Sequence, residues 1–208
     1  MRVYFARHGE SQANLDNTFS NRDPWHPLTL RGEDEARVLA GRVAGPQFEA
    51  LYCSPAVRAR QTAEIVGQAL GLAPRVADEL REFDVGRWEG TNAAEGWAEY
   101  REVVAAWLAG EPERRVSGGE SLADIERRVS HWLEGVARVH AEAANVVAVA
   151  HGGVLHAGLP AVIRGCELAW WPLRPLGHCD IVVAESRADG WQCLRWGDFD
   201  LAGGQSRP

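Results

Sequence analysis

The chain has 208 residues, of which 46% are hydrophobic, and a formal net charge of −7. This length suits a single domain over residues 1–208 that buries a core without disulfides or metals. The negative charge gives no general attraction to nucleic acid or to an anionic membrane surface, and no apolar run reaches membrane-spanning length. We therefore expect neither nucleic acid nor a membrane among the partners of the protein.

Four cysteines are scattered along the chain without a paired CxxC spacing. This spacing argues against a zinc ribbon or a redox dithiol, and it fits thiols packed in the core of a protein from a reducing compartment. The first residues show no export signal, so the sequence predicts a cytoplasmic protein. All 22 basic side chains are arginine, so any phosphate site must use guanidinium groups, and lysine Schiff-base chemistry is excluded.

The first predicted element is a buried strand over residues 3–6, which the segment 7–11 (RHGES) follows directly. His8 then lies at a strand end, beside the planar donor fork of Arg7, which suits phosphate or carboxylate. A predicted helical turn over residues 12–15 would point free backbone N–H groups at the same place. An anion pocket is reasonable here, although a histidine that follows a strand is more often structural.

A loop over residues 16–30 comes next. It carries Phe19 and Trp25, two aromatic side chains that could contact a ligand. Thr29 is a candidate N-cap for the helix that follows, and this helix ends before Gly45 and Pro46.

A second predicted strand covers residues 48–53 and leads into another helix, for which Ser54 is the expected cap and Pro55 the first residue. Arg58 lies in the first turn of this helix, where a cation opposes the helix dipole. Arg58 therefore has no local helical reason for its position. It is either an anion clamp at the strand end or a solvated arginine like Arg60.

An acidic loop over residues 79–90 supplies candidates for a proton donor. Glu82 precedes Phe83, and a carboxyl group in apolar surroundings can have a raised pKa and donate a proton. Glu89 is the competing candidate, and the structural alternative for both is a solvated loop carboxylate.

Two long helices are predicted between residues 91 and 140, with Thr91 and Ser121 as their caps. In the first helix, Trp97 and Tyr100 begin an apolar stripe at helical spacing. The stripe predicts that these side chains pack in the core.

A continuous apolar run over residues 146–150 predicts a central strand covered on both faces, and His151 follows it directly. The arrangement repeats the first one, since a helix to about residue 163 comes next. Ligands of open α/β sheets bind outside the carboxyl ends of the strands, so His8 and His151 could meet there. His156 and His178 are weaker candidates for the same site.

The last predicted elements are a hairpin at the sheet edge, with strands over residues 180–184 and 192–196, and a tail over residues 198–208 that need not be ordered. Several large side chains could shape the mouth of a site, although core packing is the more common role of such residues. They are Trp25, Trp88, Trp170, Trp171 and His178. Neither a GxxxxGK[ST] loop nor GxGxxG after a strand occurs, so no nucleotide cofactor is expected.

Taken together, the motifs resemble those of the histidine phosphatase superfamily, the phosphoglycerate mutase-like proteins. They occur in the order typical of that family from residue 2 to about residue 163. They are Arg7-His8-Gly9-Glu10-Ser11, Asn14, Pro27-Leu28-Thr29 with Gly32, Ser54-Pro55 with Arg58-Ala59 and Gln61-Thr62-Ala63, Glu82 before Gly86-Arg87-Trp88-Glu89-Gly90, Gly119-Glu120-Ser121, and His151-Gly152-Gly153. The resemblance implies an α/β fold, a three-layer α/β/α sandwich whose mostly parallel central sheet has an antiparallel edge.

The resemblance also implies roles for residues. His8 would be the nucleophile that forms a phosphohistidine, and Glu82 would be the proton donor. The phosphate-binding set implied is Arg7, Asn14, Ser20, Asn21, Arg58, His151 and Gly152. Two arginines and a second histidine can stabilise the charge of a transferring phosphoryl group without a metal, so neither a metal nor a cofactor is expected.

Two features separate the chain from other members of the family that it resembles. The loop over residues 19–22 lacks the glycine that many members carry, although Ser20 could still donate to phosphate. The short segment over residues 86–90 is similar to the phosphatase branch rather than to the mutases. The expected function is therefore hydrolysis of a small-molecule phosphomonoester, either α-ribazole phosphate-like or a sugar or glycolytic phosphate, by a monomer or a homodimer.

Three alternatives stay open. The first is a cofactor-dependent phosphoglycerate mutase, and the second is a non-catalytic protein of the same fold that binds phosphometabolites. The third is a metallohydrolase with His8 and His151 as ligands, which neither an HExxH motif nor a local histidine–carboxylate cluster supports.

Overall fold

A mixed β-sheet forms the centre of the computed structural model, which describes residues 1–22 and 25–201. The strands of the described residues are β1 (Arg2–Arg7), β2 (Ala50–Cys53), β3 (Pro74–Val76), β4 (Asn145–Ala150), β5 (Ile163–Arg164), β6 (Ile181–Arg187), β7 (Gly190–Trp196) and β8 (Phe199–Asp200). Their order in the sheet is β3-β2-β4-β1-β6-β7-β5, and β8 pairs with β7.

The sheet has a parallel half and a largely antiparallel half. β3, β2, β4 and β1 pair in parallel, and β6 then pairs antiparallel to β1 and forms a hairpin with β7. The predicted hairpin is confirmed, but β5 pairs in parallel with β7 on its far side, so the hairpin is not the outermost pair. A strand of two residues is too short to give a periodic pattern in the sequence.

Helices cover the sheet. They are α1 (Gln12–Leu15), α2 (Leu30–Arg42), α3 (Val57–Leu70), α4 (Ala94–Leu108), α5 (Leu122–Val139), α6 (Gly152–Val162) and α7 (Trp170–Leu173). Thr29 caps α2 by accepting a hydrogen bond from the backbone N–H of Gly32, and Ser121 caps α5 by accepting one from Asp124. No helix of the described residues is long and apolar enough to span a bilayer.

Strand β4 shows why the fold has three layers. Its side chains alternate between two apolar clusters, with Ala148 packed in one and Val147 in the other. Trp132 of α5 belongs to the first cluster, and Leu39 of α2 belongs to the second. Both faces of the sheet are therefore covered by helices, and the predicted α/β/α sandwich is confirmed. All four cysteines are buried free thiols, as the sequence predicts.

Two helix starts differ from the prediction. α3 begins at Val57 rather than at Pro55, so Ser54 is not its cap. α4 begins at Ala94, and the Thr91 hydroxyl donates to the Trp88 carbonyl instead of capping the helix. Both hydroxyls form other local hydrogen bonds, and such competition is common for serine and threonine near a helix start.

Parts of one predicted loop and of the predicted C-terminal tail lie outside the described residues. Asp23 and Pro24, which the sequence places in the loop over 16–30, are not described, and neither are residues 202–208. The first part of the predicted tail is ordered, because Phe199 and Asp200 form β8 against β7. These two residues are thus part of the sheet, and the remainder of the predicted tail from residue 202 lies outside the described residues.

Candidate active site

The candidate site lies where parallel strands end together. The last residue of β1 is paired with the last residue of β4, Ala150, and the backbone N–H of His8 donates to the Ala150 carbonyl at 3.0 Å. The N–H of Ser54, just beyond β2, donates to the Val149 carbonyl at 2.9 Å. The strand register thus brings the segments after β1, β2 and β4 to one edge of the sheet, as predicted for His8 and His151.

His8 is buried, with 3% of its surface exposed, and its ring orientation is fixed. Its Nδ1 lies 2.7 Å from the carbonyl oxygen of Gly9. Because a carbonyl oxygen only accepts, Nδ1 must carry the proton, and the lone pair of the neutral ring is then on Nε2. Nε2 is the atom that accepts the N–H of Arg58 Nε at 3.1 Å.

Arg58 is a buried clamp rather than a solvated side chain. It is 5% exposed, whereas Arg60 on the same helix is exposed. Besides its bond to His8, its guanidinium donates to the carbonyl oxygen of Ser20 at 2.8 Å. These contacts hold one edge of the guanidinium against the imidazole. The positive charge therefore lies next to the position that an anion bound to His8 would take.

Arg7 is held by a different set of contacts. Its Nη1 donates to the Leu176 carbonyl at 2.7 Å, and its Nη2 lies 3.1 Å from His178 Nε2. Its Nε is buried and has no hydrogen-bond partner within the described part of the chain. Such a group costs free energy unless a ligand satisfies it, so Arg7 Nε indicates a position for an acceptor atom.

His151 packs edge-on against His8, with ring centroids 5.0 Å apart. Its Nε2 lies 2.7 Å from the hydroxyl oxygen of Ser54, and this oxygen accepts the backbone N–H of Ala56 at 3.3 Å. The Ser54 hydroxyl and His151 Nε2 share one hydrogen bond in either tautomer of the ring. In the tautomer with the proton on Nδ1, this N–H is buried without a partner among the described residues. His151 is 1% exposed, and the cavity beside it is lined by its neighbour Gly152.

The pKa values of the His8 and His151 rings follow from burial and nearby charge. Burial lowers the pKa of His8 well below its usual range, and the charges of Arg58 and Arg7 lower it further. Burial and the charge of Arg58 also lower the pKa of His151 well below that range. Both rings are therefore neutral at neutral pH, which is the state in which His8 can attack as a nucleophile.

The carboxylate of Glu82 lies against the N-terminus of α6. Its carboxylate oxygens accept the backbone N–H groups of Gly153 at 2.8 Å and Val154 at 2.6 Å. Burial raises the pKa of Glu82, although the hydrogen bonds from Phe83 and Gly153 and the charge of Arg58 oppose this shift. A buried carboxyl group with a raised pKa is suited to proton donation near the acidic side of neutrality.

Glu89, the competing candidate, has a structural position. One of its carboxylate oxygens accepts the backbone N–H groups of Asn21 and Arg22, and the other accepts that of Val85. It ties the loop after α1 to the loop before α4 and does not line the cavity beside His8. The geometry favours Glu82 for the proton donor.

The cavity beside His8 has a volume of about 270 Å³, and its described lining has a polar side and an aromatic side. The uncharged polar lining residues are Asn14, Thr18, Ser20 and Asn21. The Asn14 side chain accepts from the N–H and hydroxyl of Ser11, and the Asn21 amide donates to the Phe83 carbonyl at 2.8 Å. The structure thus places the predicted Asn14, Ser20, Asn21 and Gly152 at the cavity with Arg7, His8, Arg58 and Glu82.

The aromatic side of the cavity differs from the prediction. It is formed by Phe19, Phe83, Trp97, Tyr100 and Trp171. The sequence places Trp97 and Tyr100 in the core, but only the later part of that stripe is fully buried there, with Val103 and Trp107 each 2% exposed. The spacing that predicts an apolar face does not tell a core from a cavity wall, because both remove the face from bulk water.

The other candidates for the site mouth have varied positions. Trp171 lines the cavity and His178 contacts Arg7, whereas Trp25 is 79% exposed. Trp170 is buried against Trp196, and Trp88 donates to Glu99, so neither lines the cavity. No group of three or more His, Cys, Asp or Glu side chains in the described residues is arranged to hold a metal ion.

The fold and the site together define the class of the protein. A model of the histidine phosphatase superfamily (branch 1) matches residues 3–199. The chain belongs to this superfamily, and the predicted family, fold and enzyme class are confirmed.

Curated relatives include named phosphatases and mutases. A putative phosphoserine phosphatase 2 of Hydrogenobacter thermophilus is 33% identical over 156 residues, or 75% of each chain. The adenosylcobalamin/alpha-ribazole phosphatase of Escherichia coli is 30% identical over 174 residues, which cover 84% of this chain and 85% of that protein. A probable phosphoglycerate mutase of Salmonella choleraesuis is 30% identical over 203 residues, which cover 94% and 90%.

A similar fold occurs in a mycobacterial glucosyl-3-phosphoglycerate phosphatase in complex with VO3. The TM-score is 0.81 at 26% identity, and the match covers 94% of this chain and 98% of that one. The likeness therefore extends over nearly the whole of both chains.

Proposed function

We propose that the protein is a metal-independent phosphomonoester hydrolase that forms a phosphohistidine on His8. The observation that carries the proposal is a set of buried groups around one lone pair. Arg58 faces Nε2 of His8, while Arg7 Nε and His151 Nδ1 lie buried without partners in the described part of the chain. A phosphoryl group bound to Nε2 would supply acceptor oxygens to these donors.

In the first step, the N–H of Arg58 Nε turns from His8 Nε2 to a phosphoryl oxygen, and the freed lone pair of Nε2 attacks phosphorus as the ester P–O bond breaks. Glu82 gives its proton to the departing alkoxide, which leaves as a neutral alcohol. Arg7 and Arg58 balance the charge on the equatorial oxygens, and this is the main requirement of phosphoryl transfer. The backbone N–H groups of Gly153 and Val154 stabilise the carboxylate that Glu82 becomes.

In the second step, ionised Glu82 takes a proton from water, and the resulting hydroxide attacks phosphorus as the P–N bond breaks. The products are inorganic phosphate and the neutral imidazole of His8. No redox partner is needed, and the cycle returns Glu82 to its protonated state.

The charge of the cavity favours hydrolysis over the mutase alternative. A phosphoglycerate mutase must hold a carboxylate and a second phosphate besides the transferred phosphoryl group. Among the described lining residues the cations are Arg7 and Arg58, and both are directed at the phosphoryl position. The phosphatase names among the relatives support the same choice, with a small phosphorylated metabolite as the substrate.

The test is phosphate release from a panel of small phosphomonoesters, in buffer with and without EDTA, for the wild type and for His8→Ala. We expect EDTA to leave the rate intact, and His8→Ala to lose both turnover and the acid-labile phosphate bound to the protein. His131→Ala, which changes an exposed histidine on α5, is the matched control. Full turnover by His8→Ala would contradict the phosphohistidine.

Two further results would redirect the proposal. Interconversion of phosphoglycerates in the presence of a bisphosphate primer, faster than phosphate release, would identify a mutase. Binding of phosphate esters without release across the panel would identify a non-catalytic binding protein.

A further inference from the structure

Aromatic rings form a large part of the lining of the cavity beside His8. Phe19, Phe83, Trp97, Tyr100 and Trp171 line it together with His156. We call these six residues the aromatic wall. They come from α4, α6, α7 and two loops, so the wall is assembled from segments that are distant in the chain.

The rings of the aromatic wall support one another. Phe19 stacks on Trp97 with centroids 4.1 Å apart, and Phe83 stacks on Tyr100 at 5.5 Å. Tyr100 also lies 5.8 Å from Phe19 and 5.3 Å from Trp97, so these two pairs form one group. Rings that pack in this way lose little further freedom when a ligand binds, which favours recognition of a flat apolar group.

His156 joins the other end of the wall. Its ring stacks on Trp171 at a centroid distance of 5.5 Å and an interplanar angle of 19°, and Phe83 lies 6.1 Å from Trp171. The Leu176 N–H donates to His156 Nε2, and burial lowers the pKa of His156 to about 4. His156 is therefore neutral near neutral pH and behaves as one more flat ring.

The charged groups of the cavity are Arg7, Arg58 and Glu82, and we call these three residues together with His8 the phosphoryl side. Arg7 is fixed by Leu176 and His178, Arg58 is fixed by His8 and Ser20, and Glu82 is fixed by the start of α6. None of the six residues of the aromatic wall carries a charge at neutral pH.

We propose that the aromatic wall is a subsite for an uncharged aromatic ring in the alcohol portion of the phosphomonoester. This inference rests on the proposed function and names its substrate class. A carboxylate placed against the wall would lose its hydration and find no cationic side chain among the six residues of the wall, and buried charges are tolerated only when they are paired. A ring placed there would exchange water for ring contacts, which is favourable.

The size of the cavity is compatible with this substrate class. An apolar cavity of roughly 150 Å³ is enough to bind benzene. The cavity beside His8 has about 270 Å³, which leaves room for a phosphoryl group next to one aromatic ring.

The experiment compares kcat/KM for three esters, of which the two hydrocarbon esters have alcohols of similar basicity, so that leaving-group chemistry does not produce the difference between those two. The probes are 2-phenylethyl phosphate, ethyl phosphate and phosphoserine. Burial of one phenyl group predicts a preference of about tenfold to a hundredfold for 2-phenylethyl phosphate over ethyl phosphate. Phosphoserine, which places a carboxylate and an ammonium group at the wall, is expected to be the poorest of the three.

Two tryptophans that are adjacent in α7 provide matched variants. Trp171 lines the cavity, whereas Trp170 packs against Trp196 outside it. We expect Trp171→Leu to reduce the ratio of kcat/KM between 2-phenylethyl and ethyl phosphate by about threefold to tenfold, since a ring pair is lost. Trp170→Leu should leave that ratio as it is in the wild type.

Binding of non-hydrolysable esters separates this inference from the proposed function. Calorimetry with 2-phenylethylphosphonate and ethylphosphonate measures the subsite without turnover, and the phenyl compound is expected to bind about tenfold tighter or better. Turnover of all esters with equal kcat/KM and equal phosphonate affinities would overturn the subsite and leave the hydrolase intact. Absence of turnover with a preserved phosphonate preference would overturn the hydrolase and leave the subsite intact. A preference for phosphoserine would overturn the subsite.

Discussion

The phosphoryl side of the cavity and the aromatic wall are built in different ways. On the phosphoryl side, each functional atom is held by backbone or by a short polar contact, as in the bond of His8 Nδ1 to Gly9 and that of Arg7 Nη1 to Leu176. On the aromatic wall, position depends on ring packing, as between Phe19 and Trp97. Polar contacts fix the positions of the reacting groups on the phosphoryl side, whereas ring packing gives the aromatic wall a flat apolar surface.

The two regions meet at two consecutive residues. Glu82 is held by the N–H groups at the start of α6, while Phe83 stacks on Tyr100 in the aromatic wall. One short loop therefore connects the proposed proton donor to the surface that we propose for the leaving alcohol. An alcohol bound at the aromatic wall is therefore expected to place its oxygen near Glu82.

The largest effect is expected when the proton donor is removed. Glu82→Gln should lower kcat/KM for ethyl phosphate by about 10²- to 10⁴-fold, because an alkoxide leaves poorly without a proton. The loss should be much smaller for p-nitrophenyl phosphate, whose leaving group needs no proton. Equal losses for the two esters would show that Glu82 acts by supporting α6 rather than by donating a proton.

The same variant has a defined pH dependence. In the proposed mechanism Glu82 acts in its protonated form, and burial raises its pKa. In the wild type, kcat/KM for ethyl phosphate should fall as the pH rises through this pKa. On the acid side it should fall only below the usual range of histidine, because the pKa of His8 is lowered. The alkaline fall should be absent from the pH profile of Glu82→Gln.

A second test concerns the clamp on the phosphoryl side. Arg58→Ala should lower kcat/KM by about 10²- to 10³-fold for every ester in the panel, since it removes charge stabilisation that does not depend on the alcohol. Arg60→Ala is the control, because Arg60 lies two residues further along α3 and is exposed. A change in the ratio between aromatic and aliphatic esters in Arg58→Ala would mean that the two sides of the cavity are not independent.

Local signals predicted part of the phosphoryl side, whereas the choice of Arg58 as a clamp and of Glu82 over Glu89 depended on the resemblance to the family. His8 and His151 each follow an apolar run of strand length, and Arg58 opposes the dipole of the helix that it begins. Parallel strands end at one edge of a sheet, so position along the chain was enough to bring these residues together. The cap of α2 at Thr29 is a signal of the same local kind.

The aromatic wall could not be predicted because its signal is ambiguous. Trp97 and Tyr100 continue the apolar stripe of α4 whose later residue Trp107 is in the core, and no sequence pattern marks where the core ends and the cavity begins. His156 and Trp171 meet only through the packing of α6 against α7. The starts of α3 and α4 were also predicted wrongly. The Ser54 hydroxyl bonds to His151 and the Thr91 hydroxyl donates to the Trp88 carbonyl, so neither caps its helix.

The boundary between the two sides can be tested with a pair of glycines. A Cβ at Gly153 would lie 2.7 Å from both the Glu82 carboxylate and the Phe83 ring, whereas a Cβ at Gly152 would lie 3.5 Å from Arg7, an ordinary contact. Gly153→Ala must displace Glu82 or Phe83, and a shift of about 1 Å can cost roughly a hundredfold in rate. Gly152→Ala should lose much less kcat/KM for ethyl phosphate, and equal losses would contradict this geometry.

The smallest expected effect is the pH dependence of the free energy of unfolding that comes from His156, the titratable ring of the aromatic wall near neutral pH. Burial and the charge of Arg7 lower the pKa of His156 from 6.5 to about 4. Above pH 6.5 the ring is neutral in both the folded and the unfolded chain, so its contribution to stability is complete. As the pH falls towards 4, the unfolded chain takes up a proton that the folded chain refuses. The free energy of unfolding should therefore decrease by up to about 3 kcal/mol from this residue.

Urea unfolding of the wild type and of His156→Gln at pH 7, 6 and 5 measures this contribution. His8 and His151 have lowered pKa values as well, so acid should destabilise both proteins, but the decrease should be smaller in His156→Gln. His131→Gln, at an exposed position, should retain the wild-type dependence. Identical pH dependences in all three proteins would mean that His156 takes up its proton in the folded state at the usual pH. The aromatic wall would then become cationic in mild acid and should start to accept phosphoserine there.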